Sequence, residues 1–461
     1  MRAGAPALRP AEFSDVDACT RAILERVGRR VVVALPLGLG KANHIANALF
    51  DRALRDPEIE LSILTGLTPE KPRDLPPLQQ RLVDPIVERL FGDYPDLSYA
   101  NALRRGELPR NISVTEFYLR PGAWLDVVPV QRAYASLNYT HVAREVLRRG
   151  VNVLTQLVAR RGSGDAAHYS LSCNPDVTLD ILPELEARRV RGEGIAIVGQ
   201  VNRRLPFMTG NADLPAQAFD FVLAAPAYEF ALFAPTRPAV SLADHAAGLH
   251  IASLIKDGGT LQIGIGSIGD AVAHALILRH QRPAVFRAAL AALVPPQELA
   301  ERECELAPFS EGLYGNSEML VDGFIDLYRA GVLRRHVQAA DGSRGPVLHA
   351  AFFFGSSALY QALRELDDEH IADIAMTSVS ATNSLLGDEA LKRAQRRHAR
   401  FVNNAMIATL LGEVASDTLE ERVVSGVGGQ HDMVTQAHAL DDARAIIALA
   451  STDDSTGRLT S

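Results

Sequence analysis

Cysteine is scarce in this chain, with three in 461 residues. Cys19, Cys173 and Cys304 stand far apart and in no C-x-x-C arrangement. That removes a recognisable zinc or redox motif and leaves no disulfide framework. A surplus of positive charge is also missing. The net charge is −8, which argues against electrostatic binding to nucleic acid or to anionic membranes. The short basic pairs at Arg148–Arg149, Arg188–Arg189 and Arg334–Arg335 read as solvated helix ends or loops. No segment approaches the roughly 18 consecutive apolar residues that a membrane span needs. The N-terminus reads Met-Arg-Ala-Gly-Ala-Pro, without the apolar core of a signal peptide. A cytoplasmic location is expected, with no membrane partner and no nucleic acid partner.

What is present is an ordinary globular balance: 47% apolar and 22% charged residues, in a chain long enough for two or three domains. A short apolar run, a Gly/Pro/Asn turn and a longer amphipathic stretch recur along it. This alternation predicts βαβ units and a mainly parallel sheet. Strands are expected at Val31–Pro36, Ile59–Leu67, Val151–Val158 and Gly194–Val201, with a helix over Asn43–Arg55. A Pro-rich patch at Ala224–Pro238 marks a boundary. Beyond it a helix is expected at His245–Ile255, and strands at Thr260–Ile265, Val347–Phe354, Ile371–Val379, Phe401–Ala408 and Ile446–Leu449. The fold class is therefore α/β, with two open, mainly parallel sheets in domains covering residues 1–228 and 229–461. The polar ends, Met1–Ser14 and Asp453–Ser461, are expected to be mobile.

Three glycine-rich turns could carry chemistry. Gly264-x-Gly266 closes a strand and precedes Asp270, expected as the N-cap of the next helix. Glycines admit a ligand to the backbone, and a helix N-terminus offers N–H groups to an anion. The same residues also suit a tight turn with no ligand. With Gly269 the run matches G-x-G-x-x-G, yet Ala284–Leu293 supplies no acid for a dinucleotide ribose. The run Ser425-Gly426-Val427-Gly428-Gly429-Gln430 could aim backbone N–H groups at an oxyanion, or could form a bulge or hairpin turn. Gly38-x-Gly40-Lys41 lacks full phosphate-loop spacing, which speaks against nucleotide triphosphate chemistry. His274 and His280 are spaced i, i+6, wrong for two metal ligands on one helix face. Glu318 follows Gly315-Asn316, expected as a turn, and precedes a helix whose Phe324, Leu327 and Tyr328 share a face and which ends near Gly331. By composition alone Glu318 is an ordinary surface glutamate.

Taken together, Leu261–Val272 (LQIGIGSIGDAV), Ser317–Leu327 (SEMLVDGFIDL), Phe401–Asn404 (FVNN), Gly412–Val414 (GEV), Ser425–Asp432 (SGVGGQHD) and Ile446–Thr452 (IIALAST) resemble the acetyl-CoA hydrolase/transferase family, in order. This is the class I CoA-transferase branch with 4-hydroxybutyrate and succinyl/acetate CoA-transferases. Val198–Asn202 (VGQVN) and Gly210–Asp220 resemble its substrate-side strand and loop. The resemblance implies CoA-transferase-like domains with the active site between them and a CoA-transferase, or acyl-CoA hydrolase, acting on acyl-CoA and small carboxylates. A non-catalytic CoA-binding protein is the remaining alternative. The resemblance makes Glu318 the covalent nucleophile, with Gly428 and Gly429 serving the oxyanion. Gly264, Gly266, Asn403 and Gly426 would contact coenzyme A, which is substrate, with no permanently bound cofactor and no metal. Tyr134, Asn138 and Tyr139 would line the acyl pocket. A homodimer is expected. Three departures stand out: Gly269 replaces a frequent proline and should loosen its turn, Gly-Asn-Ser precedes Glu318, and the chain is expected to be short of the family's last strands at its C-terminus.

Overall fold

The computed structural model describes residues 9–73, 75–295, 297–298 and 303–452. The expected mobility of the extreme ends, residues 1–8 and 453–461, lies outside the described residues. The chain divides into two compact units. One runs to Ala234 and also takes Asp417–Val427; the other holds Pro235–Ser416 and the chain from Gly428. The first division falls inside the Pro-rich patch.

The first unit is built on strands β1 (Ala11–Phe13), β2 (Arg30–Leu37), β3 (Glu60–Gly66), β4 (Ile112–Glu116), β5 (Val153–Arg161), β6 (Ala196–Val201) and β7 (Phe221–Leu223). They pair in the order β1-β7-β6-β5-β2-β3-β4, all parallel. Strand β2 is buried from Val31 onward. It reads as a continuous apolar run because helices and loops cover both faces of such a sheet. Helix α1 (Asn43–Arg55) lays Ile45, Ala46, Leu49, Phe50 and Ala53 into this core, each large side chain contributing about 1.5–3 kcal/mol when fully enclosed. A second helix, α2 (Ser98–Arg105), ends at Gly106 in the left-handed region. Strand β1 corrects the expectation of a mobile Met1–Ser14: Ala11–Phe13 pairs with Phe221–Leu223, and Phe13 packs edge-on against Phe221. Three residues are too few for periodicity to register.

Strands β8 (Thr260–Gln262), β9 (Tyr314–Leu320), β10 (Leu348–Phe353), β11 (Ile374–Met376), β12 (Arg400–Asn404) and β13 (Arg444–Ala448) form the second sheet. Their order is β11-β10-β9-β8-β12-β13, again all parallel. Helices α3 (Ser267–Gln281), α4 (Asp322–Arg329), α5 (Val379–Asn383) and α6 (Gln430–Ala439) position the residues considered below. The chain runs one way from β8 to β11 and the other way from β12 to β13. The reversal point therefore lies between β8 and β12, where doubly wound sheets bind ligands at their carboxyl ends.

Two strand expectations fail for local reasons. Ile371–Val379 keeps only Ile374–Met376 as strand, because Asp367 and Ser378 each cap a short helix through their side chains. The Phe401–Ala408 strand stops at Asn404, and Ile407–Ala408 turns into a hairpin with Val414–Ala415.

Candidate active site

Glu318 sits on a strand, which corrects the expected turn at Gly315-Asn316. The glycine is there for packing: a Cβ on Gly315 would stand 2.3 Å from Leu348 Cδ1 and 3.3 Å from the Phe324 ring. Residues alternate across a strand, so Asn316 and Glu318 share one face of β9. The register pairs Leu261 with both Gly315 and Arg400, and Gln262 with Phe401. Gly264 lies two residues beyond the end of β8, while Glu318 and Asn403 lie on its two neighbours, β9 and β12. Three of the residues singled out in the sequence thus fall on, or just beyond, three adjacent strands at the reversal point.

The Glu318 carboxylate is held by a neutral amide. Asn383 Nδ2, at the end of α5, donates to Glu318 Oε2 at 2.6 Å. The amide cannot turn freely, because Asn383 Oδ1 accepts from Thr382 Oγ1 at 2.9 Å. The Thr382 carbonyl in turn accepts from Asn316 Nδ2 at 3.0 Å and from Gln436 Nε2 at 3.3 Å. Arg396 closes the network from behind, donating to Gln436 Oε1 and to the carbonyls of Ala381 and Ser384. Burial pulls the Arg396 guanidinium down to about 10, so it serves as a scaffold of donors inside the core. Asn383, Thr382, Gln436 and Arg396 were not anticipated. Nothing in the local pattern S-A-T-N-S marks Asn383, whose role comes from a contact 65 positions away.

Gly429 forms the wall on the other side. It is the N-cap of α6, with φ −100° and ψ 4°. A Cβ there would lie 1.6 Å from Glu318 Oε2 and 2.3 Å from Asn383 Nδ2. Only a bare Cα leaves room for both. The positive end of a helix macrodipole favours a carboxylate nearby. Gly428, at φ 56°, turns the chain into this helix. Gly426 lies in the first unit, where a Cβ would meet Tyr118 Cα at 2.8 Å. Its neighbour Val427 donates its N–H to Tyr134 Oη at 3.3 Å.

Asp270 is not the N-cap of α3. That position belongs to Gly266, at φ 115°, and the first helical bond runs from Asp270 N to Gly266 O. Asp270 instead pairs with Arg237 at 2.8 Å. The turn is also tighter than expected at Gly269, whose Cβ would stand 2.1 Å from the Gly264 carbonyl oxygen. Gly264 itself faces open space, and a Cβ on Gly266 would approach only Asn404 Nδ2, at 4.0 Å. Beside this opening Asn403 Nδ2 is enclosed without a hydrogen-bond partner among the described residues. An enclosed donor without an acceptor is costly unless a ligand supplies one.

Other candidates are occupied elsewhere. Tyr139 is buried and donates to Asp176, so it does not line an open pocket. Lys41 is fully enclosed and donates to the carbonyls of Pro36 and Gly66, both at 2.6 Å. The glycine–lysine turn is a buried plug instead of a phosphate cradle. Burial pushes the Cys19 thiol up to about 12 and raises Cys173 as well, away from the thiolate that a nucleophile needs. Among the described residues no group of three or more His, Cys, Asp or Glu side chains could hold a metal ion, and no helix is long and apolar enough to cross a membrane.

Solved structures share this fold. The chain resembles RipA from Yersinia pestis, with TM-score 0.63 and 19% identity over 97% of this chain and 86% of that one. It resembles 4-hydroxybutyrate CoA-transferase from Porphyromonas gingivalis with TM-score 0.59 and 17% identity, over 98% and 84%. The chain shares its fold with both structures. Residues 355–461 match the model of the acetyl-CoA hydrolase/transferase C-terminal domain. Among curated relatives, the 4-hydroxybutyrate coenzyme A transferase of Clostridium kluyveri is 25% identical over 256 residues, covering 56% of this chain and 49% of the relative. The succinyl-CoA:cyclohexane-1-carboxylate CoA transferase of Geobacter metallireducens is 23% identical over 71% of this chain and 61% of the relative. The matches thus span about half to three fifths of the length of these curated relatives.

Proposed function

We propose that this chain transfers coenzyme A between carboxylic acids through a glutamyl-CoA thioester on Glu318. The observation that carries the reading is the setting of its carboxylate, 2.6 Å from Asn383 Nδ2 and against the bare Cα of Gly429. A Glu318 oxygen attacks the acyl-CoA carbonyl, and the carbon–sulfur bond breaks to give an acyl-glutamyl anhydride and CoA thiolate. The thiolate then attacks the glutamyl carbonyl, forming the thioester and expelling the first carboxylate. An incoming carboxylate runs the two steps in reverse, giving ping-pong kinetics. Each tetrahedral intermediate carries an oxyanion. Donors fixed in advance stabilise such charge most, and the clamped Asn383 amide and the backbone at Gly428–Gly429 are the candidates beside Glu318. The open Gly264–Gly266 turn and the unpartnered Asn403 Nδ2 are suited to contact the acyl-CoA.

Hydrolysis uses the same nucleophile, with water resolving the thioester, and the family description covers both activities. The curated relatives are named as transferases, which favours transfer. Trapping tests the common step. Incubation with a panel of acyl-CoA esters followed by borohydride should reduce a thioester at Glu318, located by peptide mass spectrometry. Glu318→Ala should remain unmodified. Thiol release that depends on an added carboxylate identifies transfer, and release without one identifies hydrolysis. A wild-type protein left unmodified across the panel would exclude Glu318 as nucleophile.

A further inference from the structure

The first unit also has a reversal point, between β2 and β5, and it is closed. Gly40 N–H donates to Asn174 Oδ1 at 2.9 Å, and a Cβ on Gly40 would stand 2.7 Å from the same oxygen. Lys41 fills the space behind, as described above. The opening at the carboxyl ends of this sheet lies farther along, beyond β3 and β4, as a cavity of about 430 Å³. The loop after β3 gives it Glu70, Lys71 and Arg73; α2 gives Arg104 and Arg105; the loop after β4 gives Arg120.

Five cations and one carboxylate line this space, and the pairing is uneven. Arg104 takes both Glu70 oxygens, at 2.9 and 2.7 Å, while stacking 3.9 Å above the Trp124 ring. Arg73 pairs with Asp96 and Arg105 with Glu107, both acids outside the lining. Lys71 and Arg120 have no ion pair among the described residues. Lys71 Nζ rests on the Tyr94 carbonyl at 2.5 Å, and Arg120 reaches the Glu70 carbonyl at 3.4 Å. Burial and then the charge of Arg73 lower the Lys71 pKa, and Asp93 opposes them more weakly. A lysine point charge and an arginine fork facing one cavity are the donors that phosphate oxygens select.

We propose that this cavity binds the phosphate groups of a small phosphorylated ligand, gripped between Lys71 and Arg120 with Arg73 and Arg105 at the rim. Two sources share that chemistry: the nucleotide end of coenzyme A, which rests on the proposed function, and a free phosphorylated small molecule, which does not. Calorimetric titration of the full chain with inorganic pyrophosphate and with ADP separates the possibilities. Saturable binding that weakens steeply with salt is expected. Lys71→Gln and Arg120→Gln should each weaken it roughly tenfold or more, as loss of a charge-assisted bond does. Neither probe carries a thioester, so Glu318→Ala should bind both unchanged, and failure here is distinguishable from failure of the transfer reaction. Displacement of the bound probe by coenzyme A assigns the cavity to the nucleotide end of the substrate. Binding undisturbed by coenzyme A assigns it to a free ligand. Absence of saturable binding by the wild type, or unchanged affinity in both variants, overturns the proposal.

Discussion

Gly429→Ala offers the sharpest perturbation of the candidate site. With φ −100° and ψ 4° the backbone there is open to any L residue, so alanine introduces no conformational strain of its own. Its effect must come from the added methyl group. That atom would occupy a point 1.6 Å from Glu318 Oε2 and 2.3 Å from Asn383 Nδ2. No rotamer of alanine avoids either contact, so the carboxylate has to leave its place and the Asn383 bond must break. A hydrogen bond to a charged group is worth about 1.5–3 kcal/mol. For a unit of this size, at about 2–4 °C per kcal/mol, that loss lowers the melting temperature by roughly 3–12 °C. The effect on catalysis should be larger, because loss of a single oxyanion donor costs about 10²–10³ in kcat and the nucleophile moves as well. Asn383→Ala removes the same donor without the clash. It should therefore lose less activity than Gly429→Ala while melting at a similar temperature. The assay is acyl exchange with labelled carboxylate, run beside borohydride trapping and thermal unfolding. Wild-type exchange by a folded Gly429→Ala protein would refute the geometry on which the mechanism rests.

Two further predictions concern the cores. Lys41→Met removes the ammonium donor from the Pro36 and Gly66 carbonyls, leaving Pro36 the longer bond from Thr65 Oγ1 at 3.4 Å, and takes the nearby cation from Glu116; breaking a buried charge arrangement costs about 3–5 kcal/mol, readable as an early transition in denaturant. His349, bonded to Tyr314 Oη at 2.7 Å, is held down to about 4 by burial and by Arg396, against 6.5 when exposed. A depressed histidine contributes stability that is present above pH about 6.5 and is lost as the pH falls toward about 4, by about 3 kcal/mol at most. Melting curves across that window should fall less steeply for His349→Gln, and an unchanged slope would count against the assignment.

The architecture was legible where long apolar runs and caps agree with the final packing. Strand β2 and helix α1 fall within a residue or so of their predicted positions, since Val31–Val33 and the Ile45–Leu49–Phe50 stripe each commit to one core. Glu318, Gly264 and Asn403 were legible only as parts of separate family-like segments. What brings them to neighbouring strands is the strand order, which no single segment encodes. Gly315 was misread because glycine serves two purposes, turning a chain and admitting a neighbour, and here Leu348 is the neighbour. Asn383 was missed because a side-chain amide between two short helices carries no pattern until the fold brings it to Glu318. The return of Asp417–Val427 to the first unit is likewise a long-range event, fixed by bonds such as Gly122 N–H to the Val424 carbonyl and Gln131 to Val423.

The amide that grips Glu318 has a consequence for how protons are handled. A histidine in that place would change charge near neutral pH, and an arginine would bring a permanent positive charge against the carboxylate. The Asn383 side chain does neither. In the proposed cycle Glu318 passes through a carboxylate, an anhydride and a thioester, and in each of these a carbonyl-type oxygen can accept the same N–H. Every species that attacks or departs is already an anion. No step of that cycle needs an acid or a base, so the group that grips Glu318 can be one that never titrates.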